Sequence, residues 1–306
     1  MLNVILRRLV QSALILLGVA AITFILLYAL PADPARMIAG RSATPQTVDN
    51  IRRELGLDQS LLTQFLHYLN GLLHGDLGRS YAQKTQVMTL ILARLPATIT
   101  LMAAGIFVEV LLGLTLGIIA ALDRGGPTDR LVMASAFVGV SAPQFVVALL
   151  LLYLFAATLG WFPMSGYGSF SNIVLPAATL GLLGAGWYAR MVRSAMIDVL
   201  NQDFIRTARA KGLSGRRIIL RHALPNAILP VVAMIGIDIG QFMGGVVVVE
   251  AVYGWPGIGQ LAWQAIQQVD IPIIMGVTLV SALAIVLGNL AADLLAPLID
   301  PRIRAA

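Results

Sequence analysis

The stretch Asp203-Phe204-Ile205-Arg206-Thr207-Ala208-Arg209-Ala210-Lys211-Gly212-Leu213-Ser214 gathers more potential chemistry than any other part of the chain. Phe204, Ala208 and Lys211 or Gly212 stand three or four residues apart, so they share one side of a short helix. Gly212 suits the left-handed position that ends such a helix. A second helical piece, Arg216 to Leu224, leads into Pro225 and Pro230. A helix, a glycine and a second helix, basic on one side and small on the other, suit docking into a groove of a partner. A positively charged loop that only orients a chain across a membrane would carry the same residues, and spacing does not separate the two.

The second group of candidates is polar residues inside apolar runs. Asp238 has Gln241 three residues on, Glu109 stands alone, Asn289 and Asp293 are four apart, and Glu250 lies near the end of its run. A charge within a membrane span costs roughly 2.5–3.5 kcal/mol on insertion scales, so such groups face a bundle interior or a cavity. They line a polar pathway, or they lock helices to one another by hydrogen bonds.

Other chemistries find no support. His67, His74 and His222 are scattered without acidic partners at ligand spacing, which argues against a metal site. Ser141-Ala142-Pro143-Gln144 makes no nucleophile elbow, so no catalytic residue is expected. A phosphate-cradling loop needs Gly, four residues, then Gly-Lys-Ser/Thr. Neither lysine, Lys84 nor Lys211, has that context. The chain lacks cysteine, so it has no disulfide or thiol chemistry.

The elements that must position these residues follow from composition. Of 306 residues 58% are hydrophobic and 12% charged, with a mean hydropathy of +0.85. Soluble domains carry about a quarter charged residues, so most of this surface must face lipid. The formal charge of +6 sits between hydrophobic segments, which is membrane topology and not a nucleic-acid face. A span needs about 20 apolar residues. The expected fold is an all-α integral membrane protein with six transmembrane helices: Leu9–Leu30, Leu95–Leu122, Leu131–Gly160 with an interruption at Ser141-Ala142-Pro143, Ile173 to about Val192, Leu224–Val249 and Ile273–Ile299. The first run is longer than the usual 7–15-residue core of a signal peptide and is expected to remain as a helix. Between residues 35 and 96 apolar positions recur at helical spacing, predicting two short amphipathic helices, and Gly71 to Gly78 is expected to turn back toward the membrane.

Orientation comes from Lys and Arg. Arg7, Arg8, Arg124, Arg130, Arg302 and Arg304, with eight basic residues from Arg190 to Arg221, lie on one side; the segments 161–172 and 251–272 have none. Both termini and the basic loop are therefore expected to be cytoplasmic. The segment between helices 1 and 2 holds seven basic residues on the outer side, but at about 60 residues it reaches the limit of that rule.

Gly212, then Ile219 or Leu220, then Leu224-Pro225 resembles the EAA loop of ABC-importer permeases. Arg206-Thr-Ala-Arg-Ala-Lys-Gly-Leu-Ser214 and Arg221-His-Ala-Leu-Pro-Asn-Ala-Ile-Leu-Pro230 resemble more closely the B-type permease of dipeptide and oligopeptide importers. So do Leu30-Pro-Ala-Asp-Pro-Ala35, Leu55-Gly-Leu-Asp-Gln59, Gly75-Asp-Leu-Gly78, Arg94-Leu-Pro-Ala-Thr98 and Val252-Tyr-Gly-Trp-Pro-Gly-Ile-Gly259. One departure is that Arg206 and Thr207 stand where the general loop has Glu and Ala, as is common in the peptide-type subgroup.

The resemblance implies a type I importer architecture in the bacterial inner membrane. Residues 1–34 hold helix 1, 35–94 form an extracytoplasmic scoop, and 95–306 are the permease core with the coupling loop at 198–223. Phe204, Arg206, Thr207, Ala208, Arg209, Ala210, Lys211, Gly212, Leu213 and Ser214 would couple to the ATPase. Asp238, Gln241, Tyr253 and Trp255 are pathway candidates, the last two in a segment that resembles an outer gate; aromatic anchors at the membrane interface are the other reading. The implied partners are a second homologous permease, two ATPase subunits that bind ATP and Mg, an extracytoplasmic substrate-binding protein and membrane lipid. This chain would hold no cofactor and would not be an enzyme. Its solute would be a dipeptide, an oligopeptide, glutathione, a nickel chelate or an opine-like compound. An ATP-independent secondary transporter or channel is the alternative. It would call for inverted repeats with broken helices, and residues 1–150 and 151–306 do not repeat one another.

Overall fold

The computed structural model describes residues 2–29, 34–40, 43–54 and 56–299, without side chains at 2–6, 27–29, 34, 37, 244, 245 and 291–299. Among them every regular element is helical, apart from one isolated bridge between Arg79 and Gln86. The order is α1 Leu2–Ala29, α2 Pro34–Ala39, α3 Pro45–Glu54, α4 Leu61–Leu73, α5 Val87–Leu122, α6 Pro127–Ser141 and α7 Gln144–Leu151, which runs on as a π-helical stretch Leu152–Thr158. Then come α8 Phe170–Leu200, α9 Asp203–Ala210, α10 Gly215–Ile218, a π-helical turn Ile219–Ala223, α11 Leu224–Ala227, α12 Leu229–Gly245, α13 Val247–Tyr253, α14 Ile258–Gln268 and α15 Ile271–Ile299.

Four helical stretches are long and apolar enough to cross a bilayer: Arg7–Leu26, Val87–Leu122, Phe170–Leu200 and Ile271–Leu290. Two bent pairs reach that length together. Pro127–Ser141 and Gln144–Thr158 meet at 104°, and Gly215–Ala227 and Leu229–Met243 at 49°. Counting each pair as one span brings the candidates to six.

Several boundaries differ from those expected. Helix 2 begins at Val87 and keeps Pro96 in its interior, so it runs through the expected boundary at residue 94/95. Its first turns are anchored, because Val87 and Ile91 are buried and Gly276 lets α15 approach them closely. Three short helices, not two, occupy 34–73. The segment 251–272 contains a helix of its own, α14, whose Ile258, Leu261 and Ala265 are buried at helical spacing. Helix 5 is broken at Ile228 and Val246. The Leu30–Ala35 stretch, Leu55, Arg302, Arg304 and the Asp293 side chain lie wholly or partly outside the described residues.

The chain folds as two units. In the first, residues 1–98 and 256–286, Asp270 ties a loop to the start of α15. It is 1% exposed and accepts from Ser80 Oγ at 2.5 Å, Ala82 N at 2.9 Å and Tyr81 N at 3.2 Å. Thr98 Oγ1 accepts the Ile258 amide at 2.9 Å, and Arg94 donates to Gln260 at 3.2 Å. Past α4, Gly75 and Gly78 take positive φ at the turns that lead into the loop held by Asp270.

In the second unit, residues 99–255 and 287–306, α8 is the central helix. It packs along α6, α7, α12 and α13. Glycines set its distance from α5: a Cβ at Gly117 would stand 2.7 Å from the Ala189 carbonyl oxygen, and Gly113 and Gly184 lie directly against Tyr188 and Glu109. Such small residues let helix backbones approach where lipid gives no hydrophobic drive. In the same way Gly288 of α15 lies beside the Gly236 carbonyl of α12.

Candidate functional site

The basic loop folds as a helix with a built stop. The amide of Gly212 donates to the Arg209 carbonyl at 2.9 Å and that of Leu213 to the Ala208 carbonyl at 3.3 Å, with Gly212 at φ +75°. This is a Schellman closure, whose left-handed residue favours glycine. The inward residues are Ile205 and Ala208, both buried. They join one hydrophobic cluster with Tyr188, Val192, Met196, Ile218, Ala223 and Ala227. Ala208, expected to admit a partner, is instead used to seat α9 on its own chain, with Ile205 beside it. Phe204 is 45% exposed, and Arg206, Thr207, Arg209, Ala210, Lys211, Gly212 and Ser214 are exposed as well, with Leu213 half-buried. The outward face of α9 is thus one aromatic ring among three cations, with Asp203 beside Arg206 at 3.4 Å.

Next to this loop lies a contact that spacing did not reveal. The Arg193 guanidinium on α8 grips Asp129 in the first turn of α6 with two bonds, Nη2 standing 2.6 Å from Oδ2 and Nε pairing with Oδ1. The Gly125 amide also donates to Oδ2, at 2.8 Å. A bidentate arginine–carboxylate pair fixes geometry as well as charge, and here it holds the α5–α6 connection to α8. In the sequence, Arg193 stood out only as one more topology residue.

A cavity of about 270 Å³ opens among α5, α6, α7, α8 and α12. Glu109, Tyr188, Asp238, Gln241 and Gln144 give it a polar side; Leu180, Leu183, Met234, Ile237 and Phe242 give it an apolar one. The break in the third span opens onto it through Val140 and Ala142. The Tyr188 hydroxyl donates to Asp238, whereas Glu109, 3% exposed, leaves its Oε2 without a partner. Asp238 and Gln241 therefore come together on one wall as their spacing foretold. Glu109 and Tyr188 join them, the first having been singled out without a partner and the second passed over.

Tyr253 and Trp255 lie elsewhere in this unit. The Tyr253 hydroxyl sits 2.8 Å from Thr179 Oγ1 and 3.2 Å from the Ala148 carbonyl. Trp255 is 1% exposed, with its ring edge-on to Tyr167 at 4.8 Å. Both rings are buried, so the reading of them as membrane-interface anchors is overturned. Glu250 is fully buried beside them in sequence, and Asn289 is exposed. Arg190 stacks over Trp187 at 4.4 Å and Phe137 at 5.2 Å.

Known proteins resemble the chain along its whole length. Residues 113–305 match the family described as binding-protein-dependent transport system inner membrane component. Residues 1–102 match the N-terminal region described for such membrane components. The glutathione transport system permease protein GsiC of Salmonella typhimurium strain LT2 is 42% identical over 304 residues, covering 99% of both chains. GsiC of Escherichia coli strain K12 is 40% identical over the same length and coverage. Among solved structures, a chain of the MetNI methionine ABC transporter, 23% identical, aligns with a TM-score of 0.57 over 69% of this chain and 97% of its own. That likeness concerns the fold.

Proposed function

We propose, from the premise that this chain belongs to the family of binding-protein-dependent transport system inner membrane components and is an ABC-importer permease, that it works by coupling α9 to an ATPase. The permease would cross the inner membrane six times with both termini cytoplasmic. It pairs with a second permease, two ATPase subunits that bind ATP and Mg, and an extracytoplasmic substrate-binding protein. The solute is a di- or oligopeptide or a related compound such as glutathione, the solute in the name of the GsiC relatives. Residues 35–94 form an outer scoop over a core whose coupling loop is 198–223.

The observation that carries this reading is the two-sided seating of α9. Its apolar side is held in its own chain by Ile205 and Ala208, while Phe204, Arg206, Arg209 and Lys211 stay outward. A short helix packed in this way transmits a partner's rigid-body motion without stretching. ATP-driven closure of the two ATPases would move it, open the pathway outward, and hydrolysis would reset it. Asp238 and Gln241 line that pathway in this reading; Tyr253 and Trp255 brace its outer end.

The test is affinity capture from native membranes with a tagged chain and its Gly212→Pro variant. Proline cannot take φ +75° and lacks the amide that closes the helix. Co-purification of an ATPase with the unaltered chain and its loss from the variant support both the importer assembly and the docking role of α9. Equal capture by both chains would remove α9 from the interface.

A further inference from the structure

The polar cavity holds a feature that helix locking leaves unexplained. Glu109 is buried, yet its Oε2 meets no donor. An unpaired carboxyl oxygen in a low-dielectric site is costly, and either a proton of its own or a cationic partner offsets it. Asp238 receives only the neutral hydroxyl of Tyr188 among the described hydrogen bonds, which leaves a second acidic group in the same space. Among the described residues no Lys, Arg or His lines the cavity. Gly184 contributes by its lack of a side chain, since a Cβ there would overlap the Glu109 carboxyl group. The cavity thus carries two carboxyl groups and the amides of Gln241 and Gln144, and no cationic side chain lines it among the described residues.

We infer that this cavity is a subsite for a primary ammonium group, the free amino end of the solute that the permease passes. The inference rests on the importer reading above. An ammonium has three donors and no acceptor, and Glu109, Asp238 and the Gln241 carbonyl oxygen supply acceptors on neighbouring walls. The Tyr188 hydroxyl, already donating to Asp238, is the group that holds that carboxylate in place. About 270 Å³ falls just short of the roughly 300–1,000 Å³ of sites that enclose a whole drug-sized ligand. It fits the end of a solute, with the remainder extending away over the apolar wall of Leu180, Leu183 and Met234. The subsite gives the permease its own preference for solutes with a free amine, apart from any choice made by a binding protein.

The experiment uses the complete transporter in proteoliposomes, with ATP inside the reaction and a panel of di- and tripeptides plus glutathione. Each compound is offered beside its N-acetylated form, and the ratio of the two uptake rates is the readout. The unaltered transporter is expected to prefer the free amine. Glu109→Gln and Asp238→Asn each reduce that preference about tenfold or more, the scale of a lost hydrogen bond to a charged group. Both substitutions keep side-chain shape, and co-elution of the complex reports folding; two independent carboxylates keep the result decisive if one variant does not assemble. An unchanged ratio in both variants, or no preference in the unaltered transporter, overturns the subsite and leaves the importer reading intact. Absence of ATP-dependent uptake of every compound strikes at the peptide-importer reading itself, and the subsite falls with it.

Discussion

Tyr188 donates its hydroxyl to Asp238 from the same face of α8 that carries Val192 and Met196, one and two turns on, into the cluster around Ile205. One helix face therefore touches the polar cavity at one point and seats the basic loop at another.

Tyr188→Phe removes the donor and leaves Asp238 without it. The expected loss is about 1–3 kcal/mol, the penalty for an unsatisfied polar group, seen as a lower unfolding midpoint in detergent. Tyr153, 68% exposed, is the control, and its Phe variant should stay within about 0.5 kcal/mol of the unaltered chain. Equal midpoints for the two variants would deny the hydrogen bond a role in stability.

Phe204 and Ile205 are neighbours with opposite assignments. Phe204→Ala should leave the unfolding midpoint of the permease unchanged and weaken ATPase capture. Ile205→Ala empties a fully buried site and should cost about 2–5 kcal/mol. Capture and melting measured on both variants separate docking from packing; a stable Phe204→Ala protein with full ATPase capture would argue against the outward ring as a contact.

The glycines of α5 give a steric prediction. A methyl at Gly113 would run into Tyr188, so Gly113→Ala should destabilise by about 1–3 kcal/mol through overpacking. Gly18 in α1 has nothing within 4 Å of a built Cβ, and Gly18→Ala should be neutral or slightly stabilising because alanine favours helix. Thermal unfolding of the two variants side by side is the check.

Arg193→Met leaves Asp129 without its guanidinium partner, whereas Arg193→Met combined with Asp129→Asn removes the charge as well. Breaking one half of a close ion pair is worse than removing both halves. The single variant should therefore unfold at a lower temperature than the double. The reverse order would mean that the carboxylate is well solvated and the pair matters little.

The apolar runs were legible because a bilayer demands about 20 of them in a row. The glycine stop at 212 was legible because helix endings are local. Long-range partners were not: Asp129–Arg193, Tyr188–Asp238 and Ser80–Asp270 are 64, 50 and 190 residues apart and leave no period to detect. Boundaries failed for a related reason. The polar and mixed residues before Leu95 placed that segment outside the span, yet Val87 and Ile91 belong to the long helix and are buried where α15 approaches them at Gly276. The helix α14 was missed because the segment was judged by its lack of Lys and Arg, although Ile258, Leu261 and Ala265 already stood at helical spacing. Trp255 meets Tyr167, 88 residues away in the chain, edge-on, a partner beyond the reach of local pattern.

The 104° break between Ser141 and Gln144 bears on how the chain enters the membrane. Pro143 has no amide to donate, and carbonyls freed at such a corner find no water in hydrocarbon. A single rod could slide from the insertion machinery into lipid alone, but a bent pair with open backbone groups could not. In the folded chain α8 packs along both α6 and α7, which gives such a corner a protein neighbour. A truncation that ends before α8 is therefore expected to be retained and degraded rather than released into the bilayer.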